Sequence, residues 1–261
     1  MTKGTALVTG ASAGLGTHFA LALAERGHDL ILTARRVERL EELAATIRER
    51  HGVAVTVIPA DLAQPGAASA LVEAIGKQGL AINLLINNAG FGGHGGFAEA
   101  DRAAQLRMID LNCRALVELS HCVLPGMVQM RSGGILNVAS TAAFQPGPWM
   151  AVYYATKAFV LSFSEALHEE VRGEGVKVAA LCPGPTRTEF FDAADMGDDV
   201  LLKRFAADPR KVVADGLAAL DANRAVRISG LGNRVMAVST RFTPKWVLRR
   251  VVSGIQKGRK G

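Results

Sequence analysis

A serine, a tyrosine and a lysine stand near one another in the middle of the chain, at Ser140, Tyr153 and Lys157. Residues four apart share one face of a helix, so a helix through this segment places the Lys157 ammonium beside the Tyr153 phenol. A free tyrosine titrates near ~10, and an adjacent cation lowers its pKa by favouring the phenolate. A serine hydroxyl delivered to the same place can hydrogen-bond a carbonyl oxygen. The three residues therefore predict an acid/base catalyst.

A glycine-rich turn comes directly after the first apolar segment, with Gly10, Gly14 and Gly16 in the spacing GxxxGxG. Glycines permit a tight turn and a close approach of the backbone to a ligand. The segment that follows has a helical pattern, and the N–H groups and positive dipole end of a helix bind pyrophosphate. A glycine turn between a strand and a helix at the start of the chain therefore predicts a dinucleotide site.

The end of the second apolar segment distinguishes between the two nicotinamide dinucleotides. Proteins that bind NAD place a carboxylate at this point, roughly 20 residues beyond the glycines, to hydrogen-bond the ribose 2′-OH. This chain has Arg35 and Arg36 there and no acidic residue. Guanidinium groups pair with a 2′-phosphate, so the pattern favours NADP over NAD. The alternative is that the two arginines simply begin a solvated helix that continues with Glu38 and Arg39.

Polar residues also follow the third and fourth apolar segments. Asp61 and Leu62 end the third, where they can flank an adenine, and Asn87 to Gly90 end the fourth. Side-chain amides at such a position can satisfy exposed backbone groups at a strand end. Ligands of parallel sheets bind at the carboxyl ends of the strands, so both segments are expected beside the dinucleotide.

The elements that position these residues alternate between strand and helix with a period near thirty residues. This alternation predicts an α/β fold with a doubly wound, mostly seven-stranded parallel sheet and helices on both faces. No repeat or linker divides the chain, so one domain over residues 1–261 is expected. The predicted strands are 5–9, 29–34, 53–59, 83–87, 134–139, 176–181 and 226–228; the predicted helices are 15–26, 37–50, 65–77, 101–130, 153–171 and 209–220.

Composition excludes several other classes of protein. Residues 223–261 hold ten Lys or Arg and no acidic residue, so the rest of the chain carries −4 of a net charge of +6. A basic surface confined to the tail does not indicate a nucleic-acid partner. The three cysteines are scattered in apolar segments and no metal-ligand spacing occurs, which indicates neither disulfides nor a metal site. Without a secretion signal or a long apolar run, the expected location is the cytoplasm.

The motifs together resemble the short-chain dehydrogenase/reductase family. They are TGASAGLG at 9–16, NNAG at 87–90, a lone Asn112, Ser140, YxxxK at 153–157 and PGPTRTEF from Pro183. The resemblance implies an NAD(P)-binding Rossmann fold and hydride transfer between a nicotinamide and a carbonyl or alcohol carbon. It also implies a substrate lid at about 185–210, followed by a basic C-terminal extension at about 231–261.

The resemblance assigns roles to the catalytic residues. Tyr153 is the general acid/base, Lys157 lowers the Tyr153 pKa and binds the nicotinamide ribose, and Ser140 polarises the substrate carbonyl. Asn112 holds a water that links Lys157 to solvent. Tyr154 also lies within reach of Lys157, but the family spacing selects Tyr153, and Tyr154 is expected to be a packing residue.

The expected cofactor contacts combine the glycine turn, the strand ends and the segment against the nicotinamide carboxamide. They are Gly10, Ser12, Gly14, Leu15, Gly16, Arg35, Arg36, Asp61, Leu62, Asn87, Ala89, Gly90, Tyr153, Lys157, Pro183, Gly184, Thr186 and Thr188.

Bulky apolar residues surround the predicted pocket in the sequence, which suits a lipophilic ketone or aldehyde. The alternative is that several of them only fill the core. They are Phe91, Phe144, Trp149 and Met150, with Phe190, Phe191 and Met196 beyond the PG motif.

The basic tail has an apolar stripe at Leu248, Val251, Val252 and Ile255, in helical spacing. A terminal helix docked on its own chain or on a partner subunit is favoured over attachment to an anionic membrane surface, because Gly254 and the short stripe limit burial in lipid. By analogy with the family, a homodimer or homotetramer is expected.

Three functions remain open at this stage. The first is an NADP(H)-dependent oxidoreductase acting as a reductase, and the second is an NAD-dependent alcohol dehydrogenase. The third is a binding protein that senses NADP(H) without catalysis, against which the intact set of Ser140, Tyr153 and Lys157 argues.

Overall fold

Alternating strands and helices build one sheet in the computed structural model, which describes residues 4–188 and 206–257. The strands are β1 (Thr5–Thr9), β2 (Asp29–Thr33), β3 (Val55–Val57), β4 (Ile82–Asn87), β5 (Gly133–Val138), β6 (Val176–Cys182) and β7 (Val226–Ile228). The helices are α1 (Gly14–Glu25), α2 (Val37–His51), α3 (Ala67–Lys77), α4 (Arg102–Ile109), α5 (Leu116–Gln129), α6 (Ala151–Glu170), α7 (Pro209–Asp221), α8 (Leu231–Ser239) and α9 (Lys245–Lys257).

All seven strands run parallel, in the order β3-β2-β1-β4-β5-β6-β7. The chain winds outward from β1 to β3, then crosses back to place β4 on the other side of β1. Connections on the two sides of this point leave the sheet in opposite directions, so a crevice opens at the carboxyl ends of β1 and β4. The predicted doubly wound, seven-stranded sheet is confirmed.

Both faces of the sheet are covered, as its parallel strands require. Successive side chains of a strand point to opposite faces. In β1, Ala6 and Val8 pack in the core formed with α1, α2 and α7, whereas Leu7 packs in the core formed with α3, α5 and α6. Two apolar layers therefore hold the strand ends in fixed positions around the crevice.

The helix predicted over residues 101–130 is not one continuous α-helix in the structure. It consists of α4 and α5 joined by a π-helical turn at Asp110–Ala115. The side chain of Asp101 caps α4 by accepting hydrogen bonds from the backbone N–H of Ala103 and Ala104. A π-helical turn interrupts the regular ladder and is frequent at functional sites, and this one contains Asn112.

Other boundaries were also wrong. The predicted strand over 53–59 is only β3, and the helix predicted from Pro65 begins at Ala67 after Gly66 in the left-handed conformation. The helix predicted from Tyr153 begins at Ala151, and α8 had no prediction of its own.

Two further expectations concern the substrate lid and membrane-spanning helices. Most of the predicted lid, including Phe190, Phe191 and Met196, lies outside the described residues, so the lid and the single-domain assignment stay predictions. No helix within 4–188 or 206–257 has the length and apolar content needed to cross a bilayer.

Candidate active site

A cavity of about 620 Å³ opens at the carboxyl ends of β1 and β4. Most residues predicted for the site line it, although they come from separate parts of the sequence. They are Gly10, Ser12, Gly14, Leu15, Arg35, Arg36, Asp61, Leu62, Ala89, Gly90, Ser140, Tyr153, Lys157, Pro183, Gly184, Thr186 and Thr188. Three predicted residues, Gly16, Asn87 and Asn112, do not line it.

The glycine turn has the geometry of an anion site. Gly10 and Gly14 have φ of +65° and +55°, in the left-handed region that glycine adopts without strain. A Cβ on Gly16 would lie 2.2 Å from the carbonyl oxygen of Gly10, so Gly16 serves the packing of the turn rather than the cavity wall. No side chain caps α1 at Ala13, and its first turn has no acidic residue. The helix N-terminus therefore fits a pyrophosphate.

Arg35 and Arg36 lie exposed at the rim of the cavity, directly after β2. The Arg36 guanidinium reaches back to the glycine turn, with Nε 3.4 Å from the Ser12 Oγ and Nη2 3.2 Å from the Ser12 carbonyl oxygen. Two positive charges thus stand next to the start of α1. This arrangement fits a phosphate group on a ribose better than a ribose hydroxyl.

Asp61 and Leu62 form the wall beside the arginines. The Asp61 carboxylate accepts hydrogen bonds from the Ala63 N–H at 3.2 Å and the Gln64 Nε2 at 3.4 Å. Leu62 is buried in the core against α3. The loop after β3 is therefore held in one conformation against the cavity.

The Asn87 side chain points away from the cavity, so the predicted contact of this residue with the cofactor stays a prediction. Its Nδ2 donates to Asn137 Oδ1 at 2.9 Å and to Ser120 Oγ at 3.1 Å, in the buried layer between the sheet and α5. Asn88, which belongs to the predicted segment but not to the predicted cofactor contacts, borders the cavity and donates to the Thr9 carbonyl oxygen at 2.8 Å. Adjacent residues of an extended strand point in opposite directions, and the register of β4 directs Asn87 inward.

Tyr153 and Ser140 meet at the inner end of the cavity. Tyr153 is 8% exposed, and Ser140 begins a short 3₁₀ turn in which its Oγ accepts a hydrogen bond from the Ala142 N–H at 3.1 Å. Burial raises the pKa of Tyr153 to about 12, and a hydrogen bond with the Ser140 side chain partly offsets this rise. The phenol therefore holds its proton at neutral pH.

Lys157 lies one helical turn beyond Tyr153, with its Nζ 5.9 Å from the centre of the phenol ring. The same Nζ donates to the Val138 carbonyl oxygen at 2.8 Å. Burial lowers the pKa of Lys157 to about 8 because it penalises the ammonium form. Burial is the largest cause of both shifts, and the expected lowering of the Tyr153 pKa by the Lys157 ammonium stays a prediction.

Asn112 does not line the cavity, but its hydrogen bonds join two elements that do. In the π-helical turn its Oδ1 accepts from the Phe91 N–H at 3.1 Å, and its Nδ2 donates to the Phe91 carbonyl oxygen at 3.0 Å and to Thr156 Oγ1 at 3.1 Å. A Cβ on Gly90 would lie 3.0 Å from Asn112 Oδ1 and 3.5 Å from Lys157 Nζ. Asn112 therefore fixes the loop after β4 against α6, and its expected role in holding a water stays a prediction.

The segment after β6 closes one side of the cavity. The Pro183 carbonyl oxygen accepts from the Thr141 N–H at 2.8 Å, which ties this segment to the Ser140 turn. Thr186 Oγ1 donates to the Gly184 carbonyl oxygen at 2.9 Å, and Thr188 packs against Gly14 of the glycine turn. These contacts place the segment across the cavity from Asn88.

Helix α9 forms a wall that the sequence did not predict. Val252, Ile255 and Gln256 line the cavity, with Met236 of α8 beside them. Gln256 is 3% exposed and its Nε2 donates to the Tyr154 hydroxyl at 3.0 Å. The terminal helix is thus docked on its own chain, as favoured from the sequence.

Tyr154 and His94 hold this wall in place. Tyr154 lines the cavity and packs against Gly147, so the expectation of a purely packing role is incomplete. His94 Nε2 donates to the Gln256 carbonyl oxygen at 3.0 Å. The one signal for this contact in the sequence was Gln256, a polar residue beside the apolar stripe of the tail.

The predicted apolar lining is only partly correct. Phe91 and Met150 line the cavity, whereas Phe144 packs in the core beside Val160. Trp149 instead donates from Nε1 to Ser253 Oγ at 3.4 Å, which adds to the docking of α9. In the described part of the chain, no group of three His, Cys, Asp or Glu residues is arranged to hold a metal.

Comparison with known proteins agrees with this geometry. The sequence pattern of the family described as "short chain dehydrogenase" matches residues 4–198. Sulfoacetaldehyde reductase 2 of Chromohalobacter salexigens is 34% identical over 216 residues, which are 82% of this chain and 85% of that protein.

Two solved structures are similar over nearly their whole length. A short-chain dehydrogenase from Sphingobium yanoikuyae in complex with NADPH has a TM-score of 0.82 and 39% identity, covering 90% of this chain and 92% of that one. The bulky-bulky ketone specific alcohol dehydrogenase from Comamonas testosteroni has a TM-score of 0.78 and 31% identity, covering 92% and 93%.

Proposed function

The chain belongs to the short-chain dehydrogenase/reductase family of oxidoreductases, and on that premise we propose that it reduces lipophilic ketones or aldehydes with NADPH. One observation carries the proposal. A single cavity brings the glycine turn and the arginine pair together with Ser140, Tyr153 and Lys157. The first two features fit a dinucleotide phosphate, and the last three are acid/base groups suited to a carbonyl oxygen.

The preference for NADPH is supported by charge at the end of β2. Arg35 and Arg36 supply two guanidinium groups, and the residues directly after β2 include no acidic residue before Glu38. The similar structure from Sphingobium yanoikuyae contains NADPH. NAD-dependent alcohol oxidation is the second candidate, and a comparison of NADPH and NADH affinities separates the two.

The mechanism assigns a task to each residue of this chain. A bound nicotinamide would supply the hydride. Ser140 is oriented by its hydrogen bond with the Ala142 N–H, so its hydroxyl can donate to the substrate oxygen. Tyr153 donates its proton to the same oxygen as negative charge develops there. The backbone contacts of Lys157 and Asn112 keep the phenol and the loop after β4 in place.

The direction of reaction is supported by the protonation state of Tyr153. A general acid must carry its proton at the working pH, and burial raises the pKa of Tyr153 to about 12. Alcohol oxidation would require the phenolate, which this environment disfavours. The protein is therefore proposed to act as a reductase.

The substrate class is supported by the apolar part of the wall. Five apolar residues line the cavity, and two of them, Phe91 and Met150, pack in one cluster with Tyr153; the other three are Met236, Val252 and Ile255. Apolar lining with few polar groups binds lipophilic ligands. The similar structure from Comamonas testosteroni is that of a bulky-bulky ketone specific alcohol dehydrogenase.

The test is a panel of aromatic, steroid and acyl carbonyl compounds followed by NADPH absorbance. Substitution Tyr153→Phe is expected to lower kcat by about 100- to 10,000-fold, the usual contribution of a general acid. Tyr154→Phe is the matched control and is expected to retain kcat within about tenfold. Near-full activity of the Tyr153→Phe variant would contradict the mechanism. NADPH binding without turnover of any compound would instead favour a cofactor-sensing protein.

A homodimer or homotetramer remains our proposal for the assembly, by analogy with the family.

A further inference from the structure

Helix α8 carries a row of apolar side chains that face away from the core. Leu231 is 78% exposed and Phe242, in the turn after the helix, is 83% exposed; Val235 and Val238 lie between them and are also exposed. With about 100° between successive residues, Leu231, Val235 and Val238 lie within about 60° of the helix circumference. The opposite side holds the buried Ala237. The helix is therefore amphipathic with a second, outward apolar face.

Positive charge surrounds this row. Arg234 lies on α8 at the edge of the apolar face, Arg241 lies in the turn next to Phe242, and both are exposed. Over residues 223–257 the chain has eight Lys or Arg residues and no Asp or Glu. An apolar face bordered by cations, with no acidic residue, is typical of helices that lie in the interface of an anionic membrane.

We propose that α8 attaches this protein peripherally to an anionic membrane surface. Leu231, Val235, Val238 and Phe242 would enter the headgroup region, and Arg234 and Arg241 would contact lipid phosphates. A second copy of the chain is a poorer occupant. In a two-fold symmetric interface the same surface meets itself, so two basic segments without acidic residues would face each other.

The attachment also has a consequence for the cavity. Met236 lies on α8 directly beside Val235 and lines the cavity. Ile255 of α9 also lines the cavity and is half exposed. Successive residues of a helix lie about 100° apart, so α8 contributes one side to the cavity wall and another to the proposed attachment.

The test is cosedimentation of the full chain with vesicles of phosphatidylcholine alone and of phosphatidylcholine with phosphatidylserine. We expect pelleting with the anionic vesicles, lost at high salt because salt screens exposed charges beyond about 3 Å at 1 M. The variant Arg234→Gln/Arg241→Gln is expected to bind at least about tenfold more weakly. Leu231→Gln/Phe242→Gln is expected to lose binding, while turnover of a water-soluble carbonyl stays unchanged.

Phe97→Gln is the matched control, because Phe97 is 68% exposed but lies outside α8. This variant is expected to bind vesicles like the parent chain. Three results would overturn the proposal: no pelleting with anionic vesicles, equal loss of binding in the Phe97 variant, or a change from dimer to monomer in the Leu231/Phe242 variant with vesicle binding intact. The last result would assign the face to a second copy of the chain.

Discussion

Tyr153 and Lys157 are buried side by side, and burial moves their pKa values apart. The pKa of Tyr153 rises to about 12 and that of Lys157 falls to about 8. In both cases the cause is the same, because burial disfavours whichever form carries the charge. Around neutral pH the pair is a neutral phenol beside an ammonium, which is the state that donates protons.

The pH profile of carbonyl reduction should report this pair. We expect kcat/KM to be level below about pH 8 and to fall above it, because the Lys157 ammonium loses its proton near this value. The fall can reach about tenfold per pH unit for a single essential proton. Steady-state kinetics from pH 6 to 10 measure it. In a Lys157→Arg variant the guanidinium stays charged over this pH range. Any kcat/KM that this variant retains should therefore not fall above about pH 8. An unchanged fall would contradict the assignment of this pKa to Lys157.

Cofactor preference should depend on Arg36. Substitution Arg36→Ser removes one charge-assisted partner of a 2′-phosphate, so the Kd for NADPH should rise by roughly 10- to 100-fold. The Kd for NADH should change by less than about threefold, since NADH has no 2′-phosphate. Fluorescence titration with both cofactors measures the difference. Arg39→Ser removes an exposed arginine from α2, the helix that begins directly after Arg36, and serves as the control. Equal effects of both substitutions would contradict the role of Arg36.

At the scale of elements, the entry into α1 depends on the absence of a side chain at Gly16. A Cβ there would lie 2.2 Å from the Gly10 carbonyl oxygen, a backbone atom that cannot move without deforming the turn. Gly16→Ala should therefore destabilise the fold by about 1–3 kcal/mol and weaken NADPH binding.

Gly76→Ala in α3 is the matched substitution, because a Cβ on Gly76 would meet no atom within 4 Å. It should stabilise the fold by about 0.5–1 kcal/mol, since alanine is the better helix former. Urea unfolding measures both changes. A Gly16 variant as stable as the Gly76 variant would show that the turn tolerates a side chain.

The docking of α9 should be measurable through the bond between Gln256 and Tyr154. Tyr154→Phe and Gln256→Leu each remove the same hydrogen bond of 3.0 Å. The double variant should therefore lose less than the sum of the single variants, with a coupling of about 1 kcal/mol in the free energy of unfolding. Both substitutions should also raise the KM for the ketone, because both residues line the cavity. Additive losses would show that the bond does not hold the helix.

Elements that carry local signals could be predicted from the sequence. The glycine turn, β4 with its asparagines and the start of α6 have motifs whose spacing reflects local geometry. The π-helical turn at Asn112 could not be predicted, because its stability comes from bonds to Phe91 and Thr156, which are 21 and 44 residues away in sequence. The contacts of α9 with His94 and Tyr154 depend in the same way on the folded chain.

At the scale of the whole molecule, alternation of strand and helix was enough to predict the sheet. Short right-handed connections leave few arrangements for such a chain, and the crevice follows from the reversal of strand order beside β1. The side to which a strand-end residue points was harder to predict. Asn87 and Asn88 differ by one position, and only the register of β4 against β1 and β5 decides which of them meets the cavity.

Charge is unevenly distributed over the whole molecule. Residues 223–261 carry ten positive side chains and the rest of the chain a net −4. The positive part includes both α8 and α9, and these two helices supply part of the cavity wall. Ionic strength should therefore affect this end of the molecule, as it should the exposed Arg35 and Arg36 at the cofactor end.

The docking of α9 can be followed by the intrinsic tryptophan fluorescence of the protein. The chain has two tryptophans. Trp149 donates to Ser253 of α9, and Trp246 belongs to α9, with the Arg250 guanidinium 5.4 Å from the centre of its ring. Indole emission shifts with polarity and quenching groups, so displacement of this one helix would alter the intrinsic fluorescence of both chromophores together. Stopped-flow emission could then time the helix against turnover, without any attached dye.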